Sequence, residues 1–154
     1  MAVIQSRIDP NSEAFQANRR DMLALVEQFR ALEQRVRETS NAKLPMFQKR
    51  GQLTPRQRIA HLIDRGSPFL EISTLAGLNM HDDDGAENIQ GGGAIAGIGT
   101  VSGVRSVITA SDSGIKGGTT APMGLRKNLR VQEIVLANKL PYISLVESGG
   151  ANLN

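Results

Sequence analysis

Two short segments of this sequence have the composition of a backbone that faces a ligand. "SDSGIKGGTTAP", Ser111 to Pro122, holds one lysine, three glycines, one acid and almost nothing bulky. "VESGGANLN", Val146 to Asn154, sets Ser148, Gly149, Gly150 and Ala151 in a row. Small residues let a ligand come close to main-chain N–H groups. Two such groups aimed at one carbonyl oxygen make an oxyanion hole, where a single donor is worth roughly 2.7–4 kcal/mol in the transition state. The run from Ser148 to Ala151 fits that chemistry, and it equally fits a tight turn with no ligand. Lys116, beside Gly117 and Gly118, puts a cation at the first loop. The trio Arg126, Lys127 and Arg130 follows on a helical stretch. Phosphate groups of a large anionic substrate would suit these cations, and a solvated helix face accounts for the trio as well.

Other chemistries lack their residues. There is no cysteine, so no disulfide and no thiolate. His61 and His81 lie far apart with no metal-ligand spacing, so no metal is expected. No Ser-His-Asp set or acid pair is visible. "HDDDGAEN" is a calcium loop only at a glance, because D-x-[DN]-x-[DN]-G fails at Ala86 and Glu87, and it reads as an exposed turn. "GGGAIAG" precedes a strand instead of following one, and Lys116 comes before its glycines, so neither is a nucleotide-binding loop. Catalysis in this chain would rest on backbone dipoles, with no reactive side chain.

The elements that must position these loops follow from periodicity. Met22, Leu25, Phe29, Leu32 and Val36 form a 3, 4, 3, 4 stripe within residues 11–38, a helix with Asn11 or Ser12 as N-cap. That helix docks on the domain or pairs with a partner helix. "LTPRQRIAHLID" is a second helix, with Thr54 as N-cap, Pro55 at its first position and Gln57 completing a capping box. Gly66 in "DRGSP" ends it. "FLEIS" is a short strand. Ala94–Val101 and Val104–Ala110 are two strands joined by a Ser102–Gly103 hairpin turn. Leu125, Leu129, Val131, Ile134, Val135 and Leu136 give the next helix a broad apolar surface, closed by Asn138. "PYISLVE" then reads as a buried parallel strand. Strand, strand, helix, strand is the order of a ββα unit in a layered α/β domain. Both glycine loops leave strands, which is where such domains bind ligands.

The totals set bounds. The sequence has 154 residues, enough for one domain, with 40% apolar and only 3% aromatic residues. Residues 1–60 hold eleven Lys/Arg against six Asp/Glu, and residues 61–154 hold seven against nine. The basic excess alternates with acids and lacks interleaved aromatics, so it reads as a solvated helix face and not a nucleic-acid footprint. No apolar run approaches the roughly 20 residues needed to cross a bilayer, and no signal-peptide core is seen. A cytoplasmic protein without membrane or nucleic-acid partners is expected. A buried strand and glycine loop at the end suggest the front part of a longer chain.

Three stretches, "GQLTPRQRIAHLIDRGSPFLEIS", "GGGAIAGIGTVSGVRSVITASDSGIKGGTTAP" and "LRKNLRVQEIVLANKLPYISLVESGGANL", resemble the carboxyltransferase beta subunits of biotin-dependent acyl-CoA carboxylases. "SGGANL", with no Arg after the Ala, is most similar to the methylcrotonoyl-CoA and geranyl-CoA carboxylase type. The resemblance implies a crotonase-like (ClpP/crotonase) fold of repeated ββα units. Residues 1–50 would be a helical segment and 51–154 the incomplete start of the carboxyltransferase N-terminal domain. It implies transfer of a carboxyl group from carboxybiotin to the gamma carbon of a branched enoyl-CoA. The partners implied are a biotin carboxylase and biotin carrier alpha subunit and other beta subunits in a hexamer. It places Gly149, Gly150 and Ala151 near the thioester carbonyl, and Lys116, Gly117, Gly118 and Ser148 along the CoA cleft. Arg126, Lys127 and Arg130 are weaker phosphate contacts. A second oxyanion segment and the biotin-facing half are expected downstream, so residues 1–154 alone are expected to be inactive. A biotin-dependent decarboxylase subunit and a non-catalytic assembly or CoA-binding module remain as alternatives.

Overall fold

The computed structural model describes residues 6–80, 90–147 and 149–150. It divides into two compact units, Met1–Gln34 and Arg35–Asn154. The first unit is helical and opens helix α1, Glu13–Asn41. Its N-cap is Ser12, whose hydroxyl accepts from the Phe15 amide at 3.3 Å. Met22, Leu25 and Phe29, from the stripe expected either to dock on the domain or to pair with a partner helix, are exposed there.

The second unit begins with the end of α1, where Val36 and Ser40 are buried. Helix α2, Leu44–Lys49, buries Phe47. Helix α3, Pro55–Leu62, carries the capping box read from sequence. The Gln57 amide donates to Thr54 Oγ1 at 3.2 Å, and the Thr54 amide donates to Gln57 Oε1 at 2.9 Å. Each orphan N–H at this helix start thereby gains an acceptor.

A four-stranded sheet follows, in the order β1-β2-β3-β4. Strand β1, Leu70–Glu71, is shorter than "FLEIS" suggested. Strands β2, Ala94–Val101, and β3, Val104–Ser111, pair antiparallel from Val101↔Val104 to Ala94↔Ser111. Their turn has Ser102 at φ 51 and Gly103 at φ 77, the positive pair that matches strand twist. Asp64 fixes it, accepting from the Ser102 amide at 2.7 Å and the Gly103 amide at 2.8 Å. Helix α4, Pro122–Asn138, returns the chain to β4, Tyr142–Leu145, which lies parallel to β3.

The sheet is covered on both faces because its strands alternate. Ile95 and Ile108 point to the α3 side, where they pack with Ile59, Leu62, Ile63 and Phe69. Ala96 and Val107 point to the α4 side, where they pack with Val131 and Val135. Gly97 lies on the α3 side opposite Ile108, where a Cβ would overlap the Phe69 ring and sit 2.6 Å from the Leu70 carbonyl oxygen.

Two expectations are corrected. Helix α4 does not bury a broad apolar surface: Gly124, Lys127 and Val131 face inward, while Leu125, Leu129 and Leu136 are exposed. Strand β4 is parallel as expected but not fully buried: it alternates exposed and half-buried residues, with β3 its one neighbour among the described residues. The leading glycines of "GGGAIAG" lie in a 3-10 turn, Gln90–Gly93, that leads into β2. The acidic run His81–Asn88 lies outside the described residues.

Candidate functional site: two crossing glycine loops

Strands β3 and β4 run parallel, with Ala110 beside Leu145, so their exits lie side by side. The loop after β3 and the segment after β4 therefore meet, as sheet geometry requires of neighbouring parallel exits. They meet backbone to backbone. The Gly149 amide donates to the Gly118 carbonyl at 3.2 Å, and the Thr120 amide donates to the Gly150 carbonyl at 2.9 Å. No side chain would fit at Gly118 or Gly149. A Cβ on Gly118 would lie 2.5 Å from the Glu147 carbonyl oxygen, and one on Gly149 would lie 2.6 Å from that of Gly117.

The first loop owes its shape to three successive residues at positive φ, Lys116 at 42, Gly117 at 64 and Gly118 at 77. Glycine adopts this region without steric cost. Lys116 is exposed, and its carbonyl accepts from Thr119 Oγ1 at 2.9 Å. Ile115 and Ala121 bury a small apolar pair at either side of the turn. On the second segment, Glu147 pairs with Arg58 at 3.4 Å. A groove of about 380 Å³, lined by Gln52, Leu53, Arg58, Val146 and Glu147, opens beside it.

The structure thus brings Lys116, Gly117 and Gly118 together with Gly149 and Gly150. Ser148 and Ala151 lie outside the described residues. Gly149 gives its amide hydrogen to Gly118, so an oxyanion would gain that donor only by displacing the carbonyl. Arg126 and Arg130 are exposed on α4, and Arg130 pairs with Glu133 at 2.8 Å.

Lys127 is corrected. It is 4% exposed, and its ammonium donates to the carbonyls of Gly91 at 2.8 Å and Ala94 at 2.6 Å. It joins α4 to the entrance of β2 and does not face a phosphate. Burial pushes its ammonium from the ordinary 10.5 down to about 8, with Glu71 opposing the shift and Arg56 adding to it. Between those two pH values the unfolded chain binds more protons than the folded one, so stability rises with pH across that window. The displacement from 10.5 to about 8 corresponds to roughly 3 kcal/mol. In denaturation of the intact subunit, the wild type should gain that much on Lys127→Met between pH 8 and 10.5. A stability difference that stays flat with pH would contradict the assignment.

Sequence reasoning missed three charged groups around the loops. Arg56 forms a bidentate pair with Glu71 at 2.7 and 2.8 Å, tying α3 to β1. Arg58 holds the segment after β4. Asp112, 3% exposed, sits where β3 gives way to the glycine loop. The 3 and 4 spacing of Gly124, Lys127 and Val131 was the available signal that Lys127 occupies a core stripe. No local pattern marked Asp112.

A mixed sheet with helices on both faces and two glycine loops crossing at parallel strand exits defines an α/β domain. Residues 47–154 match the Carboxyl transferase domain family, and the chain belongs to that family. It is 41% identical over 152 residues to the probable methylcrotonoyl-CoA carboxylase beta chain of Drosophila melanogaster, covering 98% of this chain and 26% of that one. It is 52% identical over 104 residues to the biotin-dependent 3-methylcrotonyl-coenzyme A carboxylase beta1 subunit of Mycobacterium tuberculosis, covering 68% of this chain and 19% of that one. The geranyl-CoA carboxylase beta subunit of P. aeruginosa superposes with a TM-score of 0.88 at 54% identity, over 99% of this chain and 28% of that one. The fold is the crotonase-like one of carboxyltransferase beta subunits. The chain spans about a quarter of the length of such relatives. Among the described residues, no helix is long and apolar enough to cross a membrane.

Proposed function

We propose that this chain is the front part of a carboxyltransferase beta subunit acting on a branched enoyl-CoA of the methylcrotonoyl or geranyl type. The observation that carries the reading is the side-chain-free crossing of the loops at Gly118 and Gly149. Carboxybiotin, carried by a partner alpha subunit that also bears biotin carboxylase, supplies the carboxyl group. The groups in this chain bind the thioester and stabilise charge. Loss of a gamma proton from an enoyl thioester moves negative charge onto the thioester oxygen. Main-chain amides of Gly149, Gly150 and Ala151 are the proposed donors to that oxygen. The bend that carries them is braced by Gly118 and Thr120, and Gly149 joins as a donor only by giving up its bond to the Gly118 carbonyl. Lys116, Gly117, Gly118 and Ser148 line the CoA side, with Arg126 and Arg130 as cations for its phosphates. The groove bordered by Leu53 and Val146 offers apolar walls beside the bend. A hexamer of beta subunits in the cytoplasm is the proposed working form; transcarboxylase 12S, which shares the fold, assembles as a hexamer.

The test is carboxylation by the intact beta subunit assembled with its biotin-bearing partner. Methylcrotonoyl-CoA or geranyl-CoA is expected to turn over far better than propionyl-CoA, with the new carboxyl at the gamma carbon. Turnover of the saturated thioester alone, or of none, would overturn the reading.

A further inference from the structure

Asp112 is the last residue before the glycine loop and is bonded on three sides. Its amide donates to the Gly93 carbonyl at 2.9 Å, and its carbonyl accepts from the Ile115 amide at 3.0 Å. Its Oδ1 accepts from the Gly114 amide at 3.0 Å. The Ser40 hydroxyl, at the end of α1, donates to the same carboxylate. Burial raises its pKa above the ordinary carboxyl value; the Ser40 hydroxyl, the Gly114 amide and Arg56 oppose that, and Glu147 adds to it. A buried carboxylate with only this partial compensation is costly to keep ionised. What it holds is the start of the turn whose far end meets the bend.

From Gly114 the chain has little freedom. The Gly118 amide donates to the Ile115 carbonyl at 2.9 Å, and the Gly118 carbonyl accepts from Gly149. The contacts at Gly118 and Gly149 are so close that neither could hold even a methyl group. A shift at Gly114 therefore passes to Gly149 and Gly150 through backbone alone. Asp112 also lines a cavity of only about 10 Å³, shared with Ser40, Arg56, Glu71 and Lys127. That space is about one water-sized probe, so the cavity beside the carboxylate holds little solvent.

We propose that Asp112 is a positioning residue for the bend at Gly149 and Gly150, setting the glycine loop that in turn fixes the bend's amides. It rests on the carboxyltransferase reading and touches no substrate itself. In the intact subunit with its biotin-bearing partner, Asp112→Ala is expected to lower kcat about 10- to 100-fold, the scale of a displacement approaching 1 Å at a catalytic group. KM for the acyl-CoA should rise by a smaller factor than kcat falls, because the displaced loop also lines the proposed CoA side. Asp112→Asn should restore most of kcat, because its Oδ1 still accepts from Gly114 and the Ser40 hydroxyl can reverse to accept from the new amide. Amide hydrogen exchange in Asp112→Ala should quicken in 113–118 and 146–150 and stay unchanged in the hairpin 94–111. Wild-type kcat in Asp112→Ala, no recovery in Asp112→Asn, or quickened exchange throughout the hairpin would each overturn the proposal. If Asp112→Ala fails to assemble, Ser40→Ala removes one donor to the carboxylate. It should quicken exchange in the same two segments, and unchanged exchange there would equally overturn it. A wild-type subunit inactive on every acyl-CoA would bring down the carboxyltransferase reading, while the exchange experiment still decides whether Asp112 governs the bend.

Discussion

Gly118→Ala is expected to lower kcat of the intact subunit by about 10²-fold or more, whereas Gly103→Ala leaves kcat unchanged. The two glycines share φ +77, so an alanine at either is strained alike. That strain is about 1–2 kcal/mol per residue in the left-handed region. They differ in surroundings. At Gly103 a new Cβ meets nothing within 4 Å, while at Gly118 it would lie 2.5 Å from the Glu147 carbonyl oxygen. That oxygen belongs to backbone and cannot rotate away, so the loops must part by about 1 Å to reach ordinary contact. A displacement of that size at a catalytic group costs about 10²-fold. The bond from Gly149 to Gly118, already long at 3.2 Å, would break first. Steady-state kinetics on the two variants separates local strain from loss of the crossing. Equal kcat in both would show that the crossing does not set the rate.

The parts of this molecule legible in the sequence are those whose cause is local. The capping box at Thr54 and Gln57 needs only residues three apart, and it forms as written. The hairpin from Ala94 needs alternation and a Ser-Gly turn, and its strands close to within a residue of the expected ends. Gly117 and Gly118 announce a left-handed turn because few other residues tolerate one. What stayed hidden depends on partners far away in sequence. Lys127 looks like its neighbours Arg126 and Arg130 until helix rotation is counted, which sets it one turn before Val131 on the buried stripe. Its acceptors, the carbonyls of Gly91 and Ala94, carry no side-chain signature. The bond from Gly149 to Gly118 is likewise main chain to main chain, so composition foretells that the loops can approach and not which donors the approach consumes. Strand β4 reads as buried because its apolar run is continuous. Its exposure goes with the single neighbour it has among the described residues, which the run itself does not encode.

Ile108→Ala is the substitution expected to weaken the sheet most, by about 4 kcal/mol, near the upper part of the range for such truncations. Ile108 is 0% exposed and stands at the middle of β3, opposite Gly97 on one side and Ile143 on the other. Cavities cost most where the surroundings cannot collapse. Here Gly97 has no side chain to move in, and the Phe69 ring is already pressed against that glycine. Ile59 and Ile95 are fixed in turn by α3 and by the strand ladder. Ile108→Val, which removes one methyl group, should cost only about 1 kcal/mol. Amide exchange in the β2–β3 hairpin reports the free energy of opening this sheet even within a larger subunit. A loss below about 1 kcal/mol for the alanine variant would mean that the α3 face repacks freely. The glycine loops hang from the ends of β3 and β4, so a face that repacks could not hold their crossing to the sub-ångström tolerance that Gly118 and Gly149 require.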